Sequence, residues 1–260
     1  MDTNPYSAPS SSVDSPTEPQ NFELHDPRTV SVGRGISWIG EGFDHFKKDP
    51  GPWILICIVG LVVMIVLNVI PFVNLLAGLF TYVWLAGLML GCKAQDDGGS
   101  ITVGHLFAGF QDKLGPLILL GLIIVIISIA IMFVAMGSTY FQLIGLGIGG
   151  GPEDLSAATD DIVGDFVLPF LIAMLFLLPL GMAAWFAPTL IVLNNVPVFK
   201  AMSMSFMGCL KNFVPFLLYG IVLLILYIIA AIPLLLGLLV LMPTFFGSMY
   251  RSYKDIFIDI

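Results

Sequence analysis

Apolar residues run along this chain in four long stretches that contain no Asp, Glu, Lys, Arg or His. The stretches are Pro50–Cys92, Leu114–Pro152, Phe166–Phe199 and Asn212–Tyr250. A helix needs roughly 20 apolar residues to cross the ~30 Å hydrocarbon layer of a bilayer, because each residue rises by about 1.5 Å. Each stretch therefore holds at least one membrane-spanning helix, and the first and last are long enough for two.

The first and last stretches are interrupted near the middle by the same dipeptide, Ile70-Pro71 and Ile232-Pro233. Proline cannot continue the hydrogen-bond ladder of a helix, so both interruptions predict a tight helical hairpin. The sequence then predicts an all-α fold, a six-helix transmembrane bundle within a membrane domain of residues 32–256. The predicted spans cover about residues 52–70, 72–92, 116–136, 166–192, 213–231 and 233–250.

A recurring pattern precedes three of the spans, which open with Pro52, Pro116 and Pro215. Proline suits the first helical turn, where its missing N–H has no helical partner. Aromatic or apolar residues stand nine and six residues before each proline, and lysines lie nearby; the six residues are Phe43, Phe46, Phe107, Phe110, Phe206 and Cys209. This three-residue offset favours one helical face, which is typical of a short helix lying in the headgroup plane. We interpret the chain as three repeats of interfacial helix plus helical hairpin.

The middle repeat departs from this pattern in residues 137–165, which replace the Ile-Pro turn. This segment contains the glycine-rich run 145–151 and five acidic residues without a base. We interpret it as a flexible or re-entrant loop on the outer side of the membrane, and its role stays open.

The basic residues determine the predicted orientation. With six spans, all ten Lys and Arg residues fall on one side, and the opposite side carries only acidic charges. The positive-inside rule then predicts that both termini face the cytosol. Residues 1–31 are polar and contain five prolines, so we expect a disordered cytosolic tail and no cleavable signal.

The composition supports the membrane assignment, since 58% of residues are hydrophobic, 11% are charged and the mean hydropathy is +0.99. An average soluble domain carries about 25% charged residues. The net charge of -8 also provides no basic surface for nucleic acid. A water-soluble globule and a nucleic-acid-binding protein are excluded.

The motifs that carry chemistry are scarce. The predicted spans contain no charged residue, and we expect His45 and His105 to be solvated on the polar faces of interfacial helices. We predict no disulfide among the three cysteines, and interfacial anchoring by Trp38, Trp53 and Trp185. No catalytic, cofactor-binding or metal-binding residues are predicted, and the chain is not expected to be an enzyme. That expectation would change if Asn68, Asn74 and Asn195 converged on one cavity.

Small residues within the predicted spans allow close helix packing. The residues in question are Gly60, Gly78, Ala86, Gly87, Gly91, Gly220 and Gly237.

Two segments carry a resemblance to known families. The segment Val32–Ile54 (VGRGISWIGEGFDHFKKDPGPWI), with NPYSAP at residues 4–9, resembles a family of uncharacterised bacterial multi-pass inner-membrane proteins. More distantly, Phe186–Phe216 resembles the membrane domain fused to some glycerophosphodiester phosphodiesterases. The chain has no room for the catalytic barrel of those enzymes. The resemblance therefore implies a topology and no reaction, cofactor or functional residue.

These observations favour an integral protein of the bacterial cytoplasmic membrane, with a non-catalytic role as an envelope or lipid-interacting scaffold. Membrane lipids are the expected partners, together with other membrane proteins. The alternative function is a passive channel or transporter for a lipid or small apolar solute, which would need no charged relay.

Overall fold

The structure is a computed structural model that describes residues 23–69, 73–149 and 152–258. The described chain is helical, apart from short connections and one isolated antiparallel bridge between Leu24 and Ile258. In chain order the helices are α1 (Arg34–Lys48), α2 (Pro50–Val69), α3 (Val73–Asp96), α4 (His105–Asp112), α5 (Leu114–Gly149), α6 (Pro152–Trp185), α7 (Ala187–Asn194), α8 (Val198–Lys211), α9 (Phe213–Ala231) and α10 (Leu238–Phe257).

Four helical segments of the described residues are long and apolar enough to cross a membrane. They are Pro50–Leu67, Leu114–Gly137, Val167–Asn194 and Phe213–Ala231. They match four of the predicted spans. The other two predictions, near residues 72–92 and 233–250, coincide with helices α3 and α10, which are not among these four segments of the described residues. The second half of α10 is polar, which explains its lower hydropathy.

Prolines occupy different places in the long helices. Pro52, Pro116 and Pro215 are each the third residue of α2, α5 and α9, within the first turn as predicted. Helix α6 continues through Pro169 and Pro179, although proline in a sequence predicts an interruption of the helix. Its break comes at Phe186, just before Pro188, and α7 follows. Proline in the interior of a helix costs roughly 3 kcal/mol in water, whereas membrane-spanning helices tolerate it.

The structure describes one of the two predicted hairpin turns. The Ile70-Pro71 turn lies outside the described residues. At Ile232-Pro233 α9 ends at Ala231, and Leu234 and Leu235 adopt positive φ angles of 52° and 67° before α10 begins. Left-handed leucines are uncommon and mark a tight reversal of the chain. This turn is confirmed.

The predicted outer loop of residues 137–165 is wrong where the backbone is described. Helix α5 runs to Gly149 and α6 starts at Pro152, so residues on both sides of this two-residue gap are helical. Glycine and acidic residues lowered the expected helicity here. Intrinsic propensity is a weak signal, however, and the folded chain overrides it here.

Short helices α1, α4 and α8 precede α2, α5 and α9, separated in each case by a single residue: Asp49, Lys113 and Asn212. Their buried positions recur ten and seven residues before the opening prolines. These positions are Gly42 and His45, Leu106 and Gly109, and Ser205 and Gly208. By contrast, Phe43 and Phe107 remain 40% and 38% exposed. Phe43 and Phe107 therefore face outward, whereas Phe46 and Phe110 are partly buried and pack against the core.

Glycines allow two of these short helices to approach the long ones closely. A Cβ atom on Gly42 would clash with the backbone of Thr244 and Ser248, where α1 crosses α10. A Cβ atom on Gly109 would clash with the carbonyl of Val83, where α4 crosses α3. Small residues at helix crossings bring backbones into direct contact, which is typical of membrane helices.

The N-terminal tail was predicted to extend to residue 31, but its last residues are hydrogen-bonded to the helical domain. Residues 1–22 lie outside the described part, but residues 24–30 are hydrogen-bonded along the end of α10. The His25 N–H donates to Phe257 O and the Arg28 N–H donates to Ile256 O, both at 3.0 Å. We call residues 24–30 the strap.

Candidate functional site: an apolar groove beside a polar cap

An apolar groove of about 740 Å³ lies between α6, α9 and α10, and the end of α8 contributes Cys209. Its lining residues are Leu, Met, Phe, Trp, Tyr, Gly and Cys. They include Leu178 and Trp185 of α6, Phe213 and Tyr227 of α9, and Leu238 and Phe245 of α10. Phe213 and Tyr227 are fourteen residues apart, so the groove extends about 21 Å along α9.

Few polar atoms line the groove. Tyr219 is buried, and its hydroxyl forms a 2.6 Å hydrogen bond with Ser248 Oγ. The Trp185 ring packs edge-on against Phe216 and Phe245, with centroids 6.1 and 6.0 Å apart. The groove wall therefore offers dispersion contacts and very little hydrogen bonding, which suits a hydrocarbon ligand.

Two glycines leave free space along the groove. A Cβ atom built on Gly181 of α6 or on Gly220 of α9 meets nothing within 4 Å. The sequence predicts that Gly60 and Gly220 mediate close helix packing, and this is wrong for both, because a Cβ atom on either meets nothing within 4 Å. Gly87, Gly91 and Gly237 do make close contacts, as predicted.

A polar cap joins α1, α3 and α10, and we define it as His45, Lys48, Gln95, Asp96, Arg251 and Lys254. Asp96 is its centre. The carboxylate lies 2.8 Å from Lys254 Nζ, 3.5 Å from an Arg251 guanidinium nitrogen and 3.8 Å from Lys48 Nζ. Burial alone would raise the pKa of Asp96, but the Lys254 hydrogen bond and the Arg251 charge together hold that pKa below its usual value. Asp96 is therefore an ionised link between three helices.

His45 lies within this cap with no exposed surface, which corrects the prediction of a solvated side chain. Its Nδ1 is 3.2 Å from Gln95 Oε1, and its Nε2 is 3.5 Å from Asp96 Oδ1. Burial lowers the pKa of His45, and the neighbouring charges of Arg251 and Lys48 add to that effect, whereas Asp96 and Gln95 oppose it. The imidazole is therefore kept neutral.

A second buried carboxylate, Asp255 of α10, holds the start of α1. Its Oδ2 accepts hydrogen bonds from Trp38 Nε1 at 2.7 Å and from Arg34 Nε at 2.5 Å. Trp38 and Trp53 have no exposed surface, so the prediction that they anchor the protein at the membrane interface is wrong for both. Trp38 instead belongs to the core, where its ring lies 5.2 Å from that of Phe216.

The structure describes only some of the other polar residues weighed from the sequence. Asn195 is exposed and ends α7 with a left-handed φ of 56°. The side chains of Asn68 and Asn74 lie outside the described part of the structure. The three cysteines are free thiols, with Cys92 and Cys209 buried. Across the described ranges, no three His, Cys, Asp or Glu side chains gather as metal ligands would.

Together, the helical fold, the four span-like helices and the extensive exposed apolar surface define an integral membrane protein of the multi-helix class. The chain is 27% identical over 230 residues to a probable inner membrane protein of Burkholderia thailandensis. The alignment covers 85% of this chain and 82% of that relative. No protein-family model matches the chain, and no solved structure matches it. These findings support an inner-membrane, multi-pass location, and they provide no link to glycerophosphodiester phosphodiesterases.

Proposed function

We propose that the chain crosses the inner membrane six times, as three repeats, with its basic end and both termini in the cytosol. The support is the recurrence of a short helix, a one-residue break and a long helix with a first-turn proline at α1–α2, α4–α5 and α8–α9. In all three cases the residues ten and seven positions before the proline are buried. Helices α3 and α10 supply the remaining two spans.

We further propose that the protein is a non-catalytic, lipid-interacting scaffold, and that its groove binds an acyl chain of a membrane phospholipid. The single observation that carries this function is the groove itself. Two of its walls, α6 and α9, include segments apolar enough to span a membrane, so lipid chains surround them. Groove residues Leu217 and Leu224 are also 54% and 60% exposed, which makes the groove continuous with the lipid-facing surface.

The dimensions of the groove agree with this occupant. A length of about 21 Å corresponds to roughly two thirds of the ~30 Å hydrocarbon layer, so one extended chain fits along it. An apolar wall excludes a charged solute, because an ion without compensating groups is costly in such surroundings. The exposed Phe43 and Phe107 on the short helices add a second lipid-facing surface beside the headgroups.

Filling the groove tests this function. Gly181→Leu and Gly220→Leu each place a side chain in the free space of the groove, and Gly60→Leu on α2 is the matched control because its Cβ also meets nothing within 4 Å. Native mass spectrometry of the purified protein should show bound phospholipid in the unmodified chain and in Gly60→Leu. Both groove variants should lose it. Equal lipid retention in all four proteins would contradict the proposal.

Passive transport makes a different prediction for the same protein. In liposomes, a channel or transporter would give saturable flux of a lipid probe or a small apolar solute. The scaffold proposal predicts the background rate of protein-free vesicles. Saturable flux that Gly220→Leu abolishes would replace the scaffold with a transporter that uses the groove.

A further inference from the structure

The strap attaches the N-terminal segment to two places in the helical bundle, one of which is the end of α10. Besides its backbone hydrogen bonds, Arg28 donates through Nε to Asp255 O at 2.6 Å and through its terminal nitrogen to Ile258 O at 3.3 Å. The last carbonyls of a helix have no partner within the helix, and a cation there also complements the helix dipole. Arg28 therefore caps α10 from a position more than two hundred residues away in sequence.

The second attachment point is Asn212, the single residue between α8 and α9. Asn212 is fully buried, and its Oδ1 accepts a hydrogen bond from the Val30 N–H at 2.8 Å. Its Nδ2 donates to Arg28 O and to Gly208 O, both at 2.9 Å. Lys211 Nζ also donates to Pro27 O at 2.9 Å. The Asn212 side chain thus joins the strap to the end of α8, at the residue where α9 begins.

The connection between α8 and α9 lies next to the groove. Cys209, three residues before Asn212, and Phe213, one residue after it, both line the groove. The opposite wall is the first half of α10, and the strap caps the far end of that helix. The strap therefore holds α10 and the start of α9, which both contribute to the groove wall, through contacts that lie outside the groove itself.

We propose that the strap is a clasp that controls how fast a lipid enters and leaves the groove, an inference that rests on the proposed lipid-binding function. With the strap attached, α8 and α9 keep their angle and the groove holds its acyl chain. When the strap detaches, Asn212 loses two of its hydrogen bonds, the α8–α9 hinge is free to bend, and the lipid exchanges with the bilayer.

Two kinds of variant test the clasp in opposite directions. Arg28→Gln and Asn212→Ala weaken the attachment, and Lys47→Gln is the matched control because Lys47 is an exposed base on α1 that pairs only locally with Asp44. The pair Leu24→Cys and Ile258→Cys joins the two bridge residues, because residues opposite each other in an antiparallel bridge lie within reach of a disulfide. Its reduced form is the internal control for its oxidised form.

The readout is the release rate of phosphatidylglycerol with a fluorescent acyl chain, from purified protein into vesicles of unlabelled lipid. Arg28→Gln and Asn212→Ala should release the probe about three- to tenfold faster, since each loses hydrogen bonds that hold the closed state. Lys47→Gln should match the unmodified protein, and the oxidised pair should release more slowly than the reduced pair. Elution volume and thermal midpoint identify any variant that has not folded.

The outcomes separate the clasp from the groove. Unchanged release in the weakened variants and in the oxidised pair, together with lost lipid in Gly220→Leu, would overturn the clasp and leave the groove intact. Equal binding of the probe by Gly220→Leu and the unmodified protein would instead overturn the groove, and the clasp with it.

Discussion

Asp96 is the residue on which α1, α3 and α10 converge at the polar cap. Its side chain is 9% exposed, and that of Lys254 is 10% exposed. Charges this far from water are costly without a partner, so removing one member of such a pair does more harm than the pair contributes on its own. The ionised Asp96 therefore contributes to stability mainly by compensating its cationic neighbours.

The substitution Asp96→Asn should destabilise the protein by about 3 kcal/mol, because Lys254 and Arg251 lose their common counter-charge. Asp97→Asn is the matched control. Asp97 is half-exposed and pairs with Lys93 one helical turn away, a contact worth about 0.5 kcal/mol or less. The thermal midpoint of each variant is measured in detergent micelles. Similar midpoints for the two variants would show that Asp96 does not stabilise the polar cap.

His45 gives the cap a dependence on pH. Its pKa in the folded protein lies below the usual value of about 6.5, so the unfolded chain takes up a proton first as the pH falls. Stability from the neutral imidazole is thus complete above about pH 6.5 and declines below it. The lowered pKa of Asp96 acts in a separate window, since its contribution persists down to about pH 4.

We therefore expect the unfolding midpoint to fall as the pH decreases below about 6.5, and His45→Gln to reduce this slope. The measurement is a series of thermal melts in detergent at constant ionic strength. A slope that is unchanged by the substitution would assign the acid sensitivity to other groups.

The predictions for His45 and Trp38 failed for the same reason. His45 and Trp38 lie on a helix that looks amphipathic, and such a helix is expected to leave its polar face in water. Here α10 and α3 cover that face with Asp255, Gln95 and Asp96. A sequence pattern shows which face of one helix is polar, but it does not show which other helix provides a polar partner.

At the scale of elements, crossings through glycine set the distances between helices. Gly42 and Gly247 face each other where α1 meets α10, and a Cβ atom on either would clash with backbone of the other helix. Backbone atoms yield far less readily than a flexible side chain, so the helices would have to move apart.

Gly42→Ala should therefore destabilise the protein by about 2 kcal/mol through overpacking. Gly40→Ala, two residues earlier on α1, meets nothing within 4 Å and should stabilise the helix by up to about 1 kcal/mol. Opposite shifts of the thermal midpoint are the expected result. A neutral Gly42→Ala would mean that α1 and α10 are not packed backbone to backbone.

Element positions were predictable where one dominant signal acted alone. The predicted span 213–231 coincides with α9, and the first-turn prolines locate the starts of α2, α5 and α9. The helical continuation of α5 to Gly149 was not predicted, because glycine has a low intrinsic helix propensity, which the folded chain overrides here. The groove was not predictable, since it depends on how α6, α9 and α10 are arranged.

At the scale of the whole molecule, six spans with the basic end inside make a direct topological prediction. Reporter fusions after Gly98 and after the C-terminal Ile260 should be active only in the cytosol, and a fusion after Leu155 should be active only outside. A cytosolic signal at Leu155 would contradict the six-span arrangement, because α5 and α6 would then fail to form a complete hairpin.

The central claim is that a phospholipid acyl chain occupies the groove between α6, α9 and α10. A density map of the protein in lipid nanodiscs tests this most directly. We predict an elongated density along α9 between Phe213 and Tyr227, in contact with Gly181 and Gly220 and absent in Gly220→Leu. A groove filled by the protein's own side chains, or one closed by direct contact of α6 with α9, would contradict the account.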